Sequence, residues 1–98
     1  MARIMRFKSE KASRQLVEKG IVATMRNYKL RPRTVVKAKT TLGEVYAVVE
    51  DVYPNYDEIV GELFYFSGFE TPEEWIREAL RLHNGRKPKY IILLRLLK

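Results

Sequence analysis

The sequence has no cysteine, a single histidine and no long apolar run, and each absence excludes a class of protein. Without cysteine there are no disulfides, no cysteine-rich metal site and no thiol catalysis. The longest apolar run, residues 90–94, is far shorter than the roughly 20 residues that span a bilayer. The first residues also lack the apolar stretch of a signal peptide. The sequence therefore predicts a cytoplasmic protein with no membrane segment, no bound metal and no cofactor.

Acidic residues are absent from residues 20–39, which carry six lysines and arginines. Residues 1–43 hold twelve basic and two acidic side chains, residues 44–85 two basic and ten acidic, and residues 86–98 five basic and none acidic. The net charge is +7. A basic segment of this kind is typical of a nucleic-acid-binding surface, and a merely solvated surface is the alternative.

The length and composition predict one globular domain over residues 1–98. The hydrophobic fraction is 46%, and eleven residues are aromatic. This is enough apolar material for a modest core in a chain of this size.

Two helices carry clear capping signals. Ser9 is placed to cap a helix that Gly20 ends. Thr71 begins the other helix, and Glu74 completes its Thr-x-x-Glu capping box. Residues 56–69 are ambiguous between a short helix and a loop.

Alternating apolar and polar residues predict strands at residues 2–7, 21–26, 34–40 and 44–53. Residues 89–97 are apolar on both faces, which favours a strand in the middle of a sheet. The pattern predicts an α+β fold, a small β-barrel of about five to six strands flanked by two helices. A two-layer open sheet with helices on one face is the alternative.

Several segments taken together resemble a known family. They are the helix ending at Gly20, "ATMR" after it, the basic loop before "TVVKAK", then "VEDVYP", "GFETPEEW" and the terminal "KYIILLRL". Over nearly the whole chain these resemble an ASCH domain, a branch of the PUA-like superfamily. The resemblance implies a PUA-like barrel, a cleft between barrel and helices, and RNA or a nucleotide-derived ligand.

Some proteins of that group hydrolyse an acylated cytidine with a lysine, a threonine and a glutamate, and others are linked to ribonuclease activity. Thr24 matches the threonine of the hydrolases. Ile21 or Val22 stands at the lysine position, and Ser67 stands at the glutamate position, three residues before Glu70. An apolar side chain cannot accept a proton, so we do not expect this hydrolase activity. If the protein is an enzyme, Thr24 and Glu70 are its catalytic candidates.

The candidate RNA-binding residues follow from charge, period and side-chain chemistry. Thr24 and Arg26 share one side of a strand, and an arginine fork suits a phosphate or a base edge. Tyr28 is suited to stacking on a base. The full set is Thr24, Arg26, Tyr28, Lys29, Arg31, Arg33, Lys37 and Lys39. The alternatives are an ion pair of Arg26 with one of the acidic residues of the segment 44–85, such as Glu50 or Glu70, and an edge-protecting role for Lys37 and Lys39.

Other conspicuous side chains are assigned to the core or to solvent. Trp75 and the phenylalanines of residues 64–69 are expected to be mainly structural, and Tyr56 and Tyr65 exposed. His83 is expected to be half-buried and hydrogen-bonded rather than catalytic.

The sequence thus favours an RNA-binding module that is a monomer or a weak homodimer. A nucleoside-directed hydrolase or ribonuclease, and a homo-oligomeric protein-interaction module, are the alternatives.

Overall fold

Five strands and three helices make up the protein, whose structure, a computed structural model, describes residues 2–97. The elements are β1 (Arg3–Arg6), α1 (Glu10–Lys19), β2 (Ile21–Arg26), β3 (Val35–Thr40), β4 (Gly43–Pro54), α2 (Asp57–Leu63), a 3₁₀ turn (Phe64–Phe66), α3 (Pro72–Leu82) and β5 (Tyr90–Leu96). The order agrees with the prediction. The ambiguous segment forms α2 and the 3₁₀ turn, so the helices number three and not the two expected.

The strands form one mixed sheet in the order β1-β3-β4-β5-β2. Only the β1–β3 pair is parallel, and the other neighbours are antiparallel. The apolar strand β5 lies between β4 and β2, as its sequence predicts. A β-bulge between Val49 and Asp51 shifts the register of β4 against β5, and bulges of this kind increase the local twist of a sheet.

The two edge strands of the sheet, β1 and β2, approach each other. The guanidinium of Arg26 in β2 donates a hydrogen bond to the backbone oxygen of Arg6 in β1 at 2.9 Å. Within residues 2–97 no ladder of backbone hydrogen bonds joins the two strands. The expectation of a closed barrel is therefore wrong, and the sheet is curled but open. The four residues of β1 all pair with β3 on the other side of β1.

Apolar side chains pack on both sides of the curled sheet. One cluster joins the sheet to Ala12 and Leu16 of α1. The other joins Ala23, Met25 and Ile91 to α2 and to Trp75 and Ala79 of α3. Helices thus cover both faces of the sheet. The alternative prediction, a two-layer open sheet with helices on one face, is therefore wrong. Trp75 is buried as expected, and Tyr56 and Tyr65 are exposed.

Caps hold α1 and α3 where the sequence predicts. Ser9 Oγ accepts from the Ala12 amide at 3.2 Å, and Thr71 Oγ1 accepts from the Glu74 amide at 3.0 Å. The turn before α3 contacts α1 closely at Gly68, whose φ is +89°. A Cβ there would lie 2.4 Å from the Lys11 carbonyl oxygen. Glycine thus allows this turn to touch α1.

Candidate nucleic-acid interface

A cleft of about 220 Å³ lies where the curled sheet fails to close. Its walls come from the β2 edge, the end of β1, the start of α1, and α3. The lining residues are Arg6, Phe7, Lys8, Ser9, Ala12, Ala23, Thr24, Met25, Arg26, Phe69, Trp75, Glu78, Ala79, Leu82 and His83. Apolar walls with a few polar groups are the usual composition of a ligand site.

Arg26 is fixed at the mouth of this cleft by its neighbours. Its Nε donates to Thr24 Oγ1 at 3.1 Å, which confirms that the two side chains share one side of β2. A second donor reaches the Arg6 carbonyl, and the guanidinium carbon lies 4.9 Å from the centre of the Phe7 ring. A guanidinium has five N–H donors, and the bonds to Thr24 and Arg6 use two of them.

No carboxylate within residues 2–97 forms an ion pair with Arg26. Glu50 pairs with Arg95 instead, and Glu70 is exposed and lies outside the cleft lining. The predicted alternative of an ion pair with Glu50 or Glu70 is therefore wrong. Burial lowers the pKa of Arg26, and the neighbouring Tyr28 hydroxyl partly opposes that effect. Arg26 is thus a half-buried cation to which the described part of the chain offers no counter-ion.

The loop after β2 carries the exposed cations Lys29, Arg31 and Arg33. The Thr34 amide donates to the Arg31 carbonyl at 3.1 Å, which closes a turn over Pro32. Arg33 has a φ of +73° there, a conformation in which glycine is usual. Leu30 packs into the core cluster beneath, so the loop is anchored while its cations face outward.

Two tyrosines lie under cations beside Arg26. The Arg3 guanidinium is 5.6 Å from the centre of the Tyr28 ring, and the Lys29 ammonium is 5.7 Å from that of Tyr90. Tyr90 is the β5 partner of Arg26 in the sheet register. These positions place aromatic rings next to the basic cluster formed by Arg26, Lys29, Arg31 and Arg33.

Lys37 and Lys39 project from one face of β3, as predicted, but both meet Glu44. Their ammonium nitrogens lie 3.2 and 3.8 Å from its carboxylate oxygens. The hydrogen bond to Glu44 raises the pKa of Lys37. The β3–β4 register places Lys39 opposite Glu44, and this pairing partly neutralises both lysines.

The structure does not assemble the residues of the hydrolase pattern. Glu70 is exposed, whereas Thr24 is buried and its oxygen is occupied by Arg26. Val22 is fully buried in the apolar cluster between the sheet and α1. Ser67 is buried too, with its hydroxyl donating to the Phe64 carbonyl at 2.6 Å. Ser67 therefore stabilises a turn.

The cleft contains residues that the sequence did not assign to a site. Arg6 ends β1, and Lys8 lies between β1 and α1. The only sequence feature that points to these two residues is their place in the basic segment of residues 1–43. Trp75 and Glu78 come from α3, and His83 directly follows that helix. His83 is half-buried, and its Nδ1 lies 2.9 Å from the Ala79 carbonyl oxygen, as expected for a structural histidine. Across residues 2–97, no group of three or more metal-binding side chains is found.

Comparison with known proteins supports the fold and goes no further. No protein-family model and no curated protein matches the sequence. The crystal structure of the hypothetical protein PH0355 is similar, with a TM-score of 0.62 over 99% of this chain and 100% of that chain. The two sequences are 12% identical, so the likeness concerns architecture alone.

No helix among the described residues is long and apolar enough to cross a membrane. The protein has a small α+β fold with a five-stranded mixed sheet and three helices.

Proposed function

We propose that the protein is a cytoplasmic RNA-binding module whose site is centred on Arg26 at the cleft mouth. In this proposal, the curled sheet is a PUA-like barrel of the ASCH type that stays open between its edge strands β1 and β2. We call this gap the seam. The observation that carries the proposal is the half-buried Arg26 guanidinium, which has no carboxylate partner among residues 2–97. A desolvated charge is costly unless it is paired, so an anionic ligand stabilises it.

The neighbouring groups favour a polymer of phosphates. Lys29, Arg31 and Arg33 follow Arg26 along one exposed loop, and an irregular loop can track a flexible backbone. Tyr28 and Tyr90 add aromatic faces, a combination typical of single-stranded nucleic-acid binding. The resemblance to ASCH domains favours RNA over DNA.

A salt titration tests the proposal. Binding of a fluorescent single-stranded RNA is measured by polarisation at several salt concentrations. Each phosphate contact contributes about −0.7 to the slope of log K against log salt, so four cations predict a slope of about −3. The double variant Arg26→Gln/Lys29→Gln is expected to halve this slope.

The matched control is Lys37→Gln/Lys39→Gln, which removes the same charge from residues already paired with Glu44. We expect this control to lose much less affinity. An equal loss in both double variants contradicts a site centred on Arg26. No RNA binding by the unaltered protein at low salt contradicts the function itself.

A further inference from the structure

The described helices leave part of one sheet face uncovered. Along β3 and β4, alternate residues such as Val36 and Ala47 are buried in the cluster with α1, so the residues between them point to the opposite face. On that opposite face, α2 and α3 cover the part formed by β2 and the first half of β5. We call the remaining part, formed by β1, β3, β4 and the end of β5, the outer face. Its apolar residues are Ile4, Val35, Tyr46, Val48 and Leu97.

The apolar side chains of the outer face are neighbours. In the sheet register, Ile4 of β1 lies opposite Lys37 of β3, and Lys37 lies opposite Tyr46 of β4. The Leu97 amide donates to the Tyr46 carbonyl at 2.9 Å, so Leu97 continues the same row. Ile4 is 53% exposed, Tyr46 50% and Leu97 39%. Single exposed apolar residues are ordinary on a protein surface, whereas a contiguous group indicates a contact surface.

The next row of the outer face adds two valines. Val35 of β3 lies opposite Val48 of β4, and Val35 is 40% exposed. Neither residue belongs to an apolar cluster of the described chain. The solvated face of an antiparallel sheet normally carries polar side chains at such positions. Folding of the described chain alone therefore leaves this apolar group uncovered.

The charged side chains of the outer face largely neutralise one another. Lys37 and Lys39 meet Glu44, and Arg95 pairs with Glu50. Within β3, β4 and β5 the face thus has three basic and two acidic side chains, a balance of +1. The whole molecule has a net charge of +7. Two copies of this protein therefore repel each other less at this face than at their basic surfaces.

We propose that the outer face binds a second copy of this chain in a two-fold dimer. A two-fold contact joins a surface to itself, so the surface must be self-complementary. The outer face meets this requirement because it combines apolar side chains with both signs of charge. An acidic partner would instead favour a surface of one sign, such as the basic loop of Lys29, Arg31 and Arg33.

This contact is separate from the proposed RNA site. Val22 is buried in the cluster with α1, and side chains four residues apart share one side of a strand, so Arg26 points away from the outer face. Each copy in the dimer keeps its Arg26 site. The dimer does not depend on RNA binding, and a failure of the salt titration leaves it intact.

Sedimentation equilibrium over a dilution series tests the proposal. Between about 1 μM and about 1 mM, the unaltered protein is expected to pass from the monomer mass toward twice that mass, because a small apolar contact predicts a weak dimer. The association should persist at roughly 1 M salt, where charge attractions are screened. The monomer mass at every concentration overturns the proposal.

A matched pair of variants assigns the contact to the outer face. Tyr46→Lys and Tyr65→Lys add the same charge at exposed tyrosines, and Tyr65 lies on the 3₁₀ turn. Tyr46→Lys is expected to raise the dissociation constant of the dimer about tenfold or more, because it brings two added cations together across the contact. Tyr65→Lys should leave that constant unchanged. Equal effects overturn the assignment.

Two further variants complete the test. Val35→Lys repeats the experiment on the outer face if circular dichroism shows that Tyr46→Lys is unfolded. Arg26→Gln/Lys29→Gln is expected to dimerise as the unaltered protein does. Association that disappears in this double variant or at high salt would mean that basic and acidic surfaces pair, and it overturns the outer face as the contact.

Discussion

Arg26 performs two tasks at the scale of a single residue: it bridges the seam of the sheet and presents free donors to the cleft. Its bonds to Thr24 and to the Arg6 carbonyl hold the side chain still. A planar fork held in place loses little entropy when it binds a phosphate. Lysine at this position would keep the charge but not the geometry.

Replacing Arg26 separates the two tasks. Burial lowers the pKa of Arg26 below its value in the unfolded chain, so folding disfavours the charged form at every pH below the folded-state pKa, including neutral pH. Arg26→Gln removes this cost but loses hydrogen bonds worth about 1 kcal/mol each. We expect the free energy of unfolding to change by no more than about 1 kcal/mol, and RNA affinity to fall at least tenfold.

Urea unfolding and RNA polarisation measure the two effects on the same preparation. A loss of stability above about 2 kcal/mol with unchanged affinity would make Arg26 a structural bridge only. Arg31→Gln on the exposed loop is the control for stability, since it removes a charge without touching the contact between β1 and β2, and as a member of the same basic cluster it is expected to lose affinity but not stability.

At the scale of elements, the cleft depends on how the turn before α3 contacts α1. Gly68 makes that contact, and its backbone conformation is one that other residues adopt at a cost of about 1–2 kcal/mol. The side chain of Phe69, which follows it, lines the cleft. The cleft wall is therefore held by a glycine that lies outside the cleft.

Gly68→Ala is expected to lower the free energy of unfolding by about 2 kcal/mol or more, because its Cβ would overlap the Lys11 carbonyl. The control is Gly61→Ala in α2, where no atom lies within 4 Å of the added Cβ. That helix position should gain roughly 0.5–1 kcal/mol. Thermal and urea unfolding check both changes. Equal effects would show that the Gly68 contact is dispensable.

Glu74 ties α1 to α3 and gives the fold a pH dependence. Its carboxylate accepts from the Glu70 amide and from Lys11, both at 3.1 Å, and these bonds lower its pKa below the ordinary 4.5. A depressed carboxyl pKa contributes stability that is present above the unfolded pKa and is lost as the pH falls through the folded pKa.

We therefore expect Glu74→Gln to be less stable than the parent protein at neutral pH, with the difference shrinking below pH 4.5. Melting temperatures over a pH series measure it. Glu73→Gln changes the same charge in the same helical turn and serves as the control. A difference that persists unchanged in acid would contradict this role of the carboxylate.

At the scale of the whole molecule, ion pairs partly interleave the basic and acidic segments. Acidic residues of the middle segment pair with cations from both ends of the chain. The pairs are Lys11–Glu74, Lys37–Glu44, Lys39–Glu44, Lys87–Asp57 and Arg95–Glu50. They reduce the charge asymmetry over much of the surface and leave the Arg26 region unpaired.

Salt is expected to act very differently on folding and on binding. The ion pairs are exposed and screened by salt, so each contributes little to stability and often nothing. A tenfold rise in salt should change the free energy of unfolding by no more than about 2 kcal/mol. RNA affinity should fall about a thousandfold over the same range. Parallel urea unfolding and polarisation measurements test this, and a parallel loss of both would mean that salt unfolds the site.

The sequence by itself determined the five strands, α1 and α3 and the local geometry within them, whereas it left residues 56–69, which form α2 and the 3₁₀ turn, ambiguous. Caps at Ser9 and Thr71 depend on neighbours three residues away, and the shared side of Thr24 and Arg26 follows from the period of a strand. These are short-range effects, so they can be predicted from a few consecutive residues. The buried Trp75 and the exposed Tyr56 and Tyr65 follow from similar patterns.

Only the tertiary structure decided which cations are free and where the cleft lies. The β3–β4 register brings Glu44 to Lys37 and Lys39, whereas no carboxylate of residues 2–97 pairs with Arg26. The seam itself depends on the meeting of β1 and β2, which are far apart in the chain. Such long-range pairings depend on the packing of the whole sheet, which no local pattern encodes.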